Sequence, residues 1–198
     1  MDATSIHAAL AEKFGPQIKA LVTANPDPYI VVEPSAIAGV CRFLKDTPGL
    51  HFDFLMSISG VDTKEKFQVV YHLFSYTHRH SIVLKIDLPY DAVKVPSVTE
   101  VWAAANWHER EQYDLFGFEF AGHPDLRRIL LPEDWIGFPL RKNYEYPDEY
   151  HGIDHHRDDP KEQFKALDEL VAKAKAKKEA QSENIPVAEK PTEPVAEV

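Results

Sequence analysis

Apolar residues recur along the first half of the chain at spacings that alternate between those of helices and those of strands. The three- and four-residue spacing over 5–14 predicts a short amphipathic helix, and the same spacing over 34–46 predicts a second one. Two short apolar runs lie between them, 18–23 and 29–33, and turn-forming Asn, Asp and Pro residues join these runs. The pattern therefore predicts a β-hairpin flanked by two helices.

Three longer runs rich in β-branched and aromatic residues follow, at 52–59, 67–77 and 81–88, and they predict a meander of three strands. Apolar and polar residues alternate in part along the middle run, which indicates that helices cover one sheet face and leave the other half-polar. The order α-β-β-α-β-β-β lacks the strict alternation of a doubly wound fold. We therefore predict a two-layer α+β domain with a mixed, mostly antiparallel five-stranded sheet over 1–142.

Two N-terminal capping signals lie close together after the last predicted strand. Ser97 and Glu100 have the spacing of a capping box, and so do Asn106 and Glu109. Each cap satisfies backbone donors at a helix start, so the pair predicts two helices that meet at a corner near Asn106.

An unbroken helix is the alternative, and it would bury the carboxylate of Glu109. An unpaired buried charge costs several kcal/mol, so Glu109 would then need an arginine partner such as Arg127 or Arg128. Either arrangement predicts that Glu109 is engaged. Arg110 and Asp114 lie four residues apart and are expected to pair on the same helix. Glu111 and Asp114 would repel each other unless a cation lies between them.

Composition excludes several classes of protein. A formal net charge of -10 argues against nucleic-acid binding, since the phosphate backbone favours a basic surface. Cys41 is the only cysteine, so no intrachain disulfide forms, and its place on an apolar helical stripe predicts a buried thiol. No apolar run is long enough to span a bilayer, and the N-terminus lacks the features of a secretory signal.

The composition changes towards the C-terminus. We predict a polar linker arm over 143–160, a charged helix over 161–181 and a disordered tail over 182–198. His151, His155 and His156 in the linker could hold a metal together with Asp154 or Asp158. A polar, exposed linker without a metal is the expected alternative.

The densest stretch of the chain, EREQYDLFGFEFAGHPDLRRIL at 109–130, resembles the signature of the 30 kDa subunit family of respiratory complex I, also called its C subunit. The segment LLPEDWIGFPLRKNY that begins at Leu130 is similar to the continuation of that family, although family members more often carry His at position 138 and Asp at position 143. The residues that this resemblance assigns to the signature or to a subunit interface are Glu109, Arg110, Glu111, Asp114, Phe116, His123, Arg127, Arg128 and Arg141.

The resemblance implies a scaffold protein in the peripheral arm of the proton-translocating NADH:quinone oxidoreductase, with no catalytic residue, bound cofactor or metal of its own. FMN and iron-sulfur clusters would belong to partner subunits, since a single cysteine cannot supply the usual four thiolates of a cluster. The implied partners are chiefly the D subunit and also the B and I subunits, at the cytoplasmic side of the bacterial inner membrane.

Two other functions remain open at this point. Membrane-bound hydrogenases and formate hydrogenlyases contain a related subunit, which the residues of this chain hardly distinguish from the 30 kDa subunit of complex I. A stand-alone enzyme would use Glu109 or Glu111 with His108 or His123 as acid and base, and this chemistry needs a pocket and a perturbed pKa.

Overall fold

A computed structural model of the chain describes residues 1–24 and 27–154. The chain divides into two compact units, Met1–Glu145 and Tyr146–Val198. Within the described ranges, no helix has both the length and the apolar character that a membrane span requires.

The first unit contains the helices and the larger sheet. Its helices are α1 (Ala3–Phe14), α2 (Ile37–Asp46) and α3 (Ala105–Phe116), and single 3-10 turns occupy Gly15–Gln17 and Pro34–Ala36. Its strands are β1 (Ile18–Val22), β2 (Tyr29–Val32), β3 (Phe54–Asp62), β4 (Phe67–Ser75), β5 (His80–Leu88), β6 (Lys94–Pro96) and β7 (Glu119–Ala121).

Five strands form one mixed sheet in the order β1-β2-β5-β4-β3. The β1–β2 hairpin and the β3–β4–β5 meander are antiparallel, and the parallel pairing of β2 with β5, which sets Tyr29 opposite Val83, joins the two. The predicted fold class and the predicted meander are confirmed. Strands β6 and β7 form a small parallel pair, which the sequence pattern did not predict.

Helices cover one face of this sheet. Along β4, Phe67, Tyr71 and Leu73 are fully buried in the core, whereas the intervening His72 and Phe74 are only half-buried. The covered face packs against apolar side chains from all three helices, namely Ile6, Leu10, Ile37, Val40, Cys41, Leu44, Ala105 and Phe116. The predicted division into a covered face and a half-polar face is therefore confirmed, and Cys41 is buried as predicted.

Strand β3 differs from its prediction. It begins at Phe54 and continues to Asp62, whereas the predicted run spans 52–59. Asp62 is 7% exposed at the strand end, where its carboxylate accepts hydrogen bonds from the amides of Lys64 and Lys142 and from the hydroxyl of Tyr90. These donors replace the water that a surface turn would offer, which lets the strand end on a buried charge.

The predicted corner between two helices is wrong, and so is the unbroken helix. Residues 97–104 form no helix and contain turns at 99–101 and 103–104, and α3 begins at Ala105 with Ala104 as an N-cap that makes no side-chain bond. The Ser97 hydroxyl donates to Glu109 instead of capping a helix, and Glu100 accepts a hydrogen bond of 2.7 Å from Arg42. Because both members of the capping box have other partners, the helix they would start does not form.

The described part of the second unit is a short hairpin. Strands β8 (Glu149–Tyr150) and β9 (Ile153–Asp154) pair antiparallel, and the rings of Tyr150 and His151 lie 4.3 Å apart. The predictions for His155, His156, the charged helix and the tail lie outside the described residues.

Candidate functional site

The centre of the site is the carboxylate of Asp114 in the last turn of α3. Its Oδ2 accepts hydrogen bonds from the backbone amides of Ile129, Leu130 and Leu131 at 2.7–3.0 Å. Its Oδ1 accepts one of 2.8 Å from Nη1 of Arg128. A loop that begins after β7 is thereby attached to the helix; we call residues 124–145 the clamped loop.

Asp114 stays ionised in this setting. Its side chain is fully buried, and burial alone would raise the pKa of the carboxyl. The amides of Leu131, Leu130 and Ile129 together with Arg128 outweigh that effect and hold the pKa of Asp114 below its ordinary value. The buried charge is therefore fully compensated, as a stable buried carboxylate requires.

The clamped loop also caps the C-terminal end of α3. The carbonyl of Asp114 accepts from Arg128, that of Leu115 from the amide of Leu140, and that of Phe116 from Nε of Arg141 at 2.6 Å. These carbonyls have no partner within the helix, and cations near a helix C-terminus are favourable. Two arginines and one amide thus complete the last turn.

Arg110 fixes the other side of the loop backbone. Its Nε donates to the carbonyl of Arg127 at 3.2 Å and its Nη2 to the carbonyl of Arg128 at 3.5 Å, while its guanidinium lies 5.2 Å from the ring of Trp107. The predicted ion pair between Arg110 and Asp114 is wrong. Asp114 pairs with Arg128, whose fork also reaches the carbonyls of Trp135 and Gly137.

Three other signature residues, Arg127, His123 and Glu111, lie at or near the surface. Arg127 is exposed and pairs with exposed Asp125 at 2.9 Å. His123 is half-buried, with Nδ1 accepting from the amide of Asp125 and Nε2 donating to the carbonyl of Asn106 at 3.3 Å. Within the described residues, the half-buried Glu111 side chain makes no hydrogen bond or ion pair, so it does not join the charge network.

Glu109 is engaged as predicted, but not by an arginine. Its fully buried carboxylate accepts hydrogen bonds of 2.7 Å from the Ser97 hydroxyl and from the amide of Val98. No lysine, arginine or histidine of the described residues forms an ion pair with it. Burial without a cation raises the pKa of Glu109 to about 7, against the two hydrogen bonds that lower it.

Gln112 is a site residue that sequence reasoning missed. Its Oε1 accepts from the amide of Gly60 at 2.7 Å and its Nε2 donates to the carbonyl of Ile58 at 3.1 Å, on the edge strand β3. The only signal in the sequence is a glutamine on a helix face that is otherwise buried, and nothing local indicates its partner. The contact attaches α3 to the sheet.

Glycine at two positions lets the loop approach the helix closely. Gly117 has a φ of 74°, and a Cβ there would lie 2.5 Å from the ring of Phe138. Gly137 has a φ of 82°, and its Cβ would lie 2.6 Å from the ring of Tyr144. Both positions combine a left-handed backbone with close packing, which only glycine accommodates without strain.

Several large apolar side chains of this assembly are exposed. Trp107 on α3 is 61% exposed, and on the clamped loop Leu130 is 60%, Ile136 83% and Leu140 48% exposed. A buried ionic clamp therefore positions a loop that presents large apolar side chains to solvent. Such groups mark interaction sites when they occur together on a surface.

The region that contains this clamp matches a known family. Residues 30–150 match the family model described as the 30 Kd subunit of respiratory-chain NADH dehydrogenase. The chain belongs to this family. The match includes every signature residue from Glu109 to Arg141, and it confirms the resemblance drawn from the sequence.

Curated relatives agree with the family. The chain is 43% identical over 155 residues to the C subunit of NADH-quinone oxidoreductase from Chlorobium phaeobacteroides, covering 76% of this chain and 93% of the relative. It is 47% identical over 140 residues to the C 2 subunit of NADH-quinone oxidoreductase from Rhizobium etli, covering 69% of this chain and 74% of that one.

Solved structures are also similar. A trypsin-resistant fragment of Nqo5 is 28% identical, with a TM-score of 0.49 over 61% of this chain and 98% of the fragment. A chain of the membrane-bound sulfane sulfur reductase, an archaeal respiratory membrane complex, is 23% identical, with a TM-score of 0.62 over 79% of this chain and 95% of that chain. The second similarity shows the fold alone.

The geometry gives a substrate little access to Glu109 or His123 for acid–base catalysis. The Glu109 side chain is fully buried in the core, and the His123 ring nitrogens are both hydrogen-bonded to backbone groups. Within the described part of the chain, no three His, Cys, Asp or Glu side chains are grouped to hold a metal ion. What the arrangement does achieve is mechanical: it holds a loop in one conformation.

Proposed function

We propose that the chain is a non-catalytic scaffold subunit in the peripheral arm of NADH:quinone oxidoreductase, the complex that couples electron transfer from NADH to quinone with proton translocation. Family membership supports its place among the subunits of that complex. The observation that carries the scaffold role is the clamped loop, which exposes Leu130, Ile136 and Leu140. Buried Asp114 binds the amide of Leu130, its partner Arg128 binds the carbonyls on both sides of Ile136, and the amide of Leu140 donates to the end of α3.

Energetics favour an interface over an isolated surface. Burial of a carboxylate and an arginine costs free energy unless every polar group is paired. The presence of such a buried pair supports a functional role for the position of the loop. Interfaces combine an apolar centre with a polar rim, and the clamped loop carries both kinds of group, exposed Ile136 and exposed Arg127. We propose the D subunit as the main partner of this surface, with the B and I subunits as further neighbours.

We also propose that this chain takes no direct part in electron transfer. One cysteine in 198 residues, Cys41, is buried and cannot supply the usual four thiolate ligands of an iron-sulfur cluster. FMN and the clusters would then be held by other subunits. The chain would lie on the cytoplasmic side of the bacterial inner membrane as a peripheral part of the complex.

Co-purification tests the scaffold role. Ile136→Asp places a charge on the most exposed apolar side chain of the clamped loop and should reduce recovery of the other subunits with an affinity-tagged full chain. The matched control is Met56→Asp, which introduces the same charge at a side chain that is 51% exposed on β3. Unchanged thermal unfolding of both variants would confirm that folding is intact.

The identity of the subunit that is lost tests whether the D subunit is the main partner. Loss of the D subunit with Ile136→Asp, but not with Met56→Asp, supports the assignment. Full assembly with Ile136→Asp would show that the loop is not part of the interface. Protease treatment of inside-out and right-side-out membrane vesicles tests the location, since only the inside-out vesicles should expose a chain on the cytoplasmic side.

A further inference from the structure

A short row of hydroxyl groups connects buried Glu109 with the outer side of the turn that follows β6. The Ser97 hydroxyl oxygen lies 2.7 Å from Oε2 of Glu109 and 2.8 Å from the hydroxyl oxygen of Thr99. Glu109 is fully buried, whereas Ser97 and Thr99 are half-buried. The row therefore leads from the core towards solvent.

The hydrogen bonds along such a row can all point one way or all point the other way, because each hydroxyl donates one hydrogen bond and can accept two. When Glu109 is ionised, Ser97 donates to the carboxylate and accepts from the hydroxyl and the amide of Thr99. When Glu109 is protonated, its own O–H can donate to Ser97, and Ser97 then donates to Thr99. Oε1 accepts from the amide of Val98 in both states. Both states therefore keep the hydrogen bonds between Glu109, Ser97 and Thr99, and in the protonated state the Thr99 hydroxyl is free to donate to solvent.

Among the residues that the structure describes, no ion pair holds Glu109 in one protonation state. Cys41 on α2 and Tyr71 on β4 are fully buried titratable groups that the charge of Glu109 affects; burial raises the pKa of each, and Glu109 raises both further. The charged groups beside the turn are occupied elsewhere: Arg42 pairs with Glu100, and Lys45 donates to the carbonyl of Val101.

We propose that Glu109 is a proton-binding site that exchanges its proton with solvent through the hydroxyls of Ser97 and Thr99. Release moves one proton from the carboxyl to Ser97, one from Ser97 to Thr99, and one from Thr99 to water. Each hydroxyl gains one proton and loses one, so the only net changes are an ionised Glu109 and a hydronium ion. Uptake runs the same steps in reverse.

The proton-binding site connects α3 with the segment that follows β6. Glu109 lies on α3, the helix that carries the Asp114 clamp, and its hydrogen bonds hold the turn at Ser97 and Val98. Burial raises its pKa to about 7, so the exchange takes place near neutral pH. The inference concerns the core of this chain and is independent of the proposed role in assembly.

Carbon-13 NMR of the glutamate side-chain carboxyls in the full chain tests the proposal. The Glu109 signal, identified by its absence in Glu109→Gln, should shift with a midpoint near pH 7 as one exchange-averaged line. Thr99→Val keeps the bond between Ser97 and Glu109 but removes the outer hydroxyl. We expect it to slow proton exchange by about 10-fold or more, seen as broadening of the Glu109 line.

Thr77→Val is the matched control, since it replaces a threonine on the exposed turn between β4 and β5. Its Glu109 line should be the same as that of the unaltered chain. A Glu109 signal that does not move across neutral pH would overturn the proton site. A Thr99→Val line as sharp as that of Thr77→Val would overturn the route through Ser97 and Thr99.

Discussion

The side-chain amide of Gln112 forms two hydrogen bonds with the edge of strand β3, and the closer one joins Oε1 to the amide nitrogen of Gly60 at 2.7 Å. An added Cβ at Gly60 would lie 2.7 Å from that same Oε1 and 2.8 Å from the rings of Phe116 and Phe118. The helix and the strand thus approach each other at a distance that only glycine permits.

Gly60→Ala should therefore destabilise the chain by about 1–3 kcal/mol, the usual cost of adding a methyl group to a well-packed site. Urea unfolding of the full chain measures this difference. Gly49→Ala is the control, since a Cβ there would meet nothing within 4 Å. Equal stability of the two variants would show that α3 can move away from β3 at no cost.

Asp114→Asn should loosen the clamped loop. It removes the negative charge that pairs with Arg128, whose side chain is only 15% exposed, and a buried pair broken on one side costs about 3–5 kcal/mol. Asp125→Asn breaks the exposed pair with Arg127 and should change the free energy of unfolding by about 1 kcal/mol or less. Similar losses in the two variants would contradict the clamp.

Acid should reproduce part of this effect. The pKa of Asp114 is held below its ordinary value, so the folded state binds fewer protons there than the unfolded state does. The stabilisation is therefore present above the ordinary carboxyl pKa and is lost as the pH falls through the folded value. The free energies of unfolding of the unaltered chain and of Asp114→Asn should be similar in acid and should differ at neutral pH.

Glu109 should have the opposite dependence on pH. Burial raises its pKa from 4.5 to about 7, so the folded state binds more protons than the unfolded state between these values. Stability from this group is therefore full below pH 4.5 and falls as the pH rises towards 7. One pKa unit corresponds to about 1.4 kcal/mol, so the whole shift amounts to about 3 kcal/mol.

Glu109→Gln removes this titration while its amide can still accept from Val98 and donate to Ser97. The difference in the free energy of unfolding between the two chains should change with pH across that window and be constant above it. A difference that is the same at every pH would mean that the pKa of Glu109 does not depend on folding.

Tyr71→Phe should make the chain more stable. The Tyr71 hydroxyl is buried and has no hydrogen-bond partner among the described residues, and an unpartnered buried hydroxyl costs about 1–3 kcal/mol in mutational data. Removing it keeps the ring, which is fully buried in the core. Thermal unfolding measures the gain, and a loss of stability would reveal a partner for this hydroxyl.

Arg127→Ala tests whether the exposed end of the signature meets a partner. Arg127 and Asp125 are 66% and 55% exposed, so their pair adds little to the stability of the isolated chain. We expect unchanged unfolding and reduced recovery of partner subunits. Lys94→Ala breaks a pair with Glu119 of similar exposure, 62% and 59%, and should leave recovery unchanged. Full recovery with Arg127→Ala would limit the interface to the apolar side chains.

The elements that could be predicted from the sequence are those whose pattern is local. The alternation along β4 and the apolar stripe of α2, with Cys41 on it, depend on neighbours within one element, so their periods are visible in the sequence. The engagement of Glu109 was also predictable, since a buried carboxylate needs donors.

The partners of the buried polar groups were not predictable, because they come from distant parts of the chain. Ser97 has the spacing of a cap, yet its hydroxyl donates to Glu109, which is twelve residues away. Strands β6 and β7 are too short to show an alternation of apolar and polar residues. Their parallel pairing depends on the helix between them. The ion pair of Asp114 with Arg128 was not predictable for the same reason. The sequence shows the four-residue spacing between Arg110 and Asp114, but it does not show that the loop containing Arg128 folds back onto α3.

The parallel pairing of β2 with β5 has a consequence for how the chain folds during synthesis. Tyr29 leaves the ribosome long before Val83, its partner in the sheet, so the β1–β2 hairpin and α1 must wait for the meander before they can be buried. The β3–β4–β5 meander closes only short loops and can form first. The hairpin then docks against β5 as a late step, and until it does, β5 keeps an open edge that a second nascent chain could occupy.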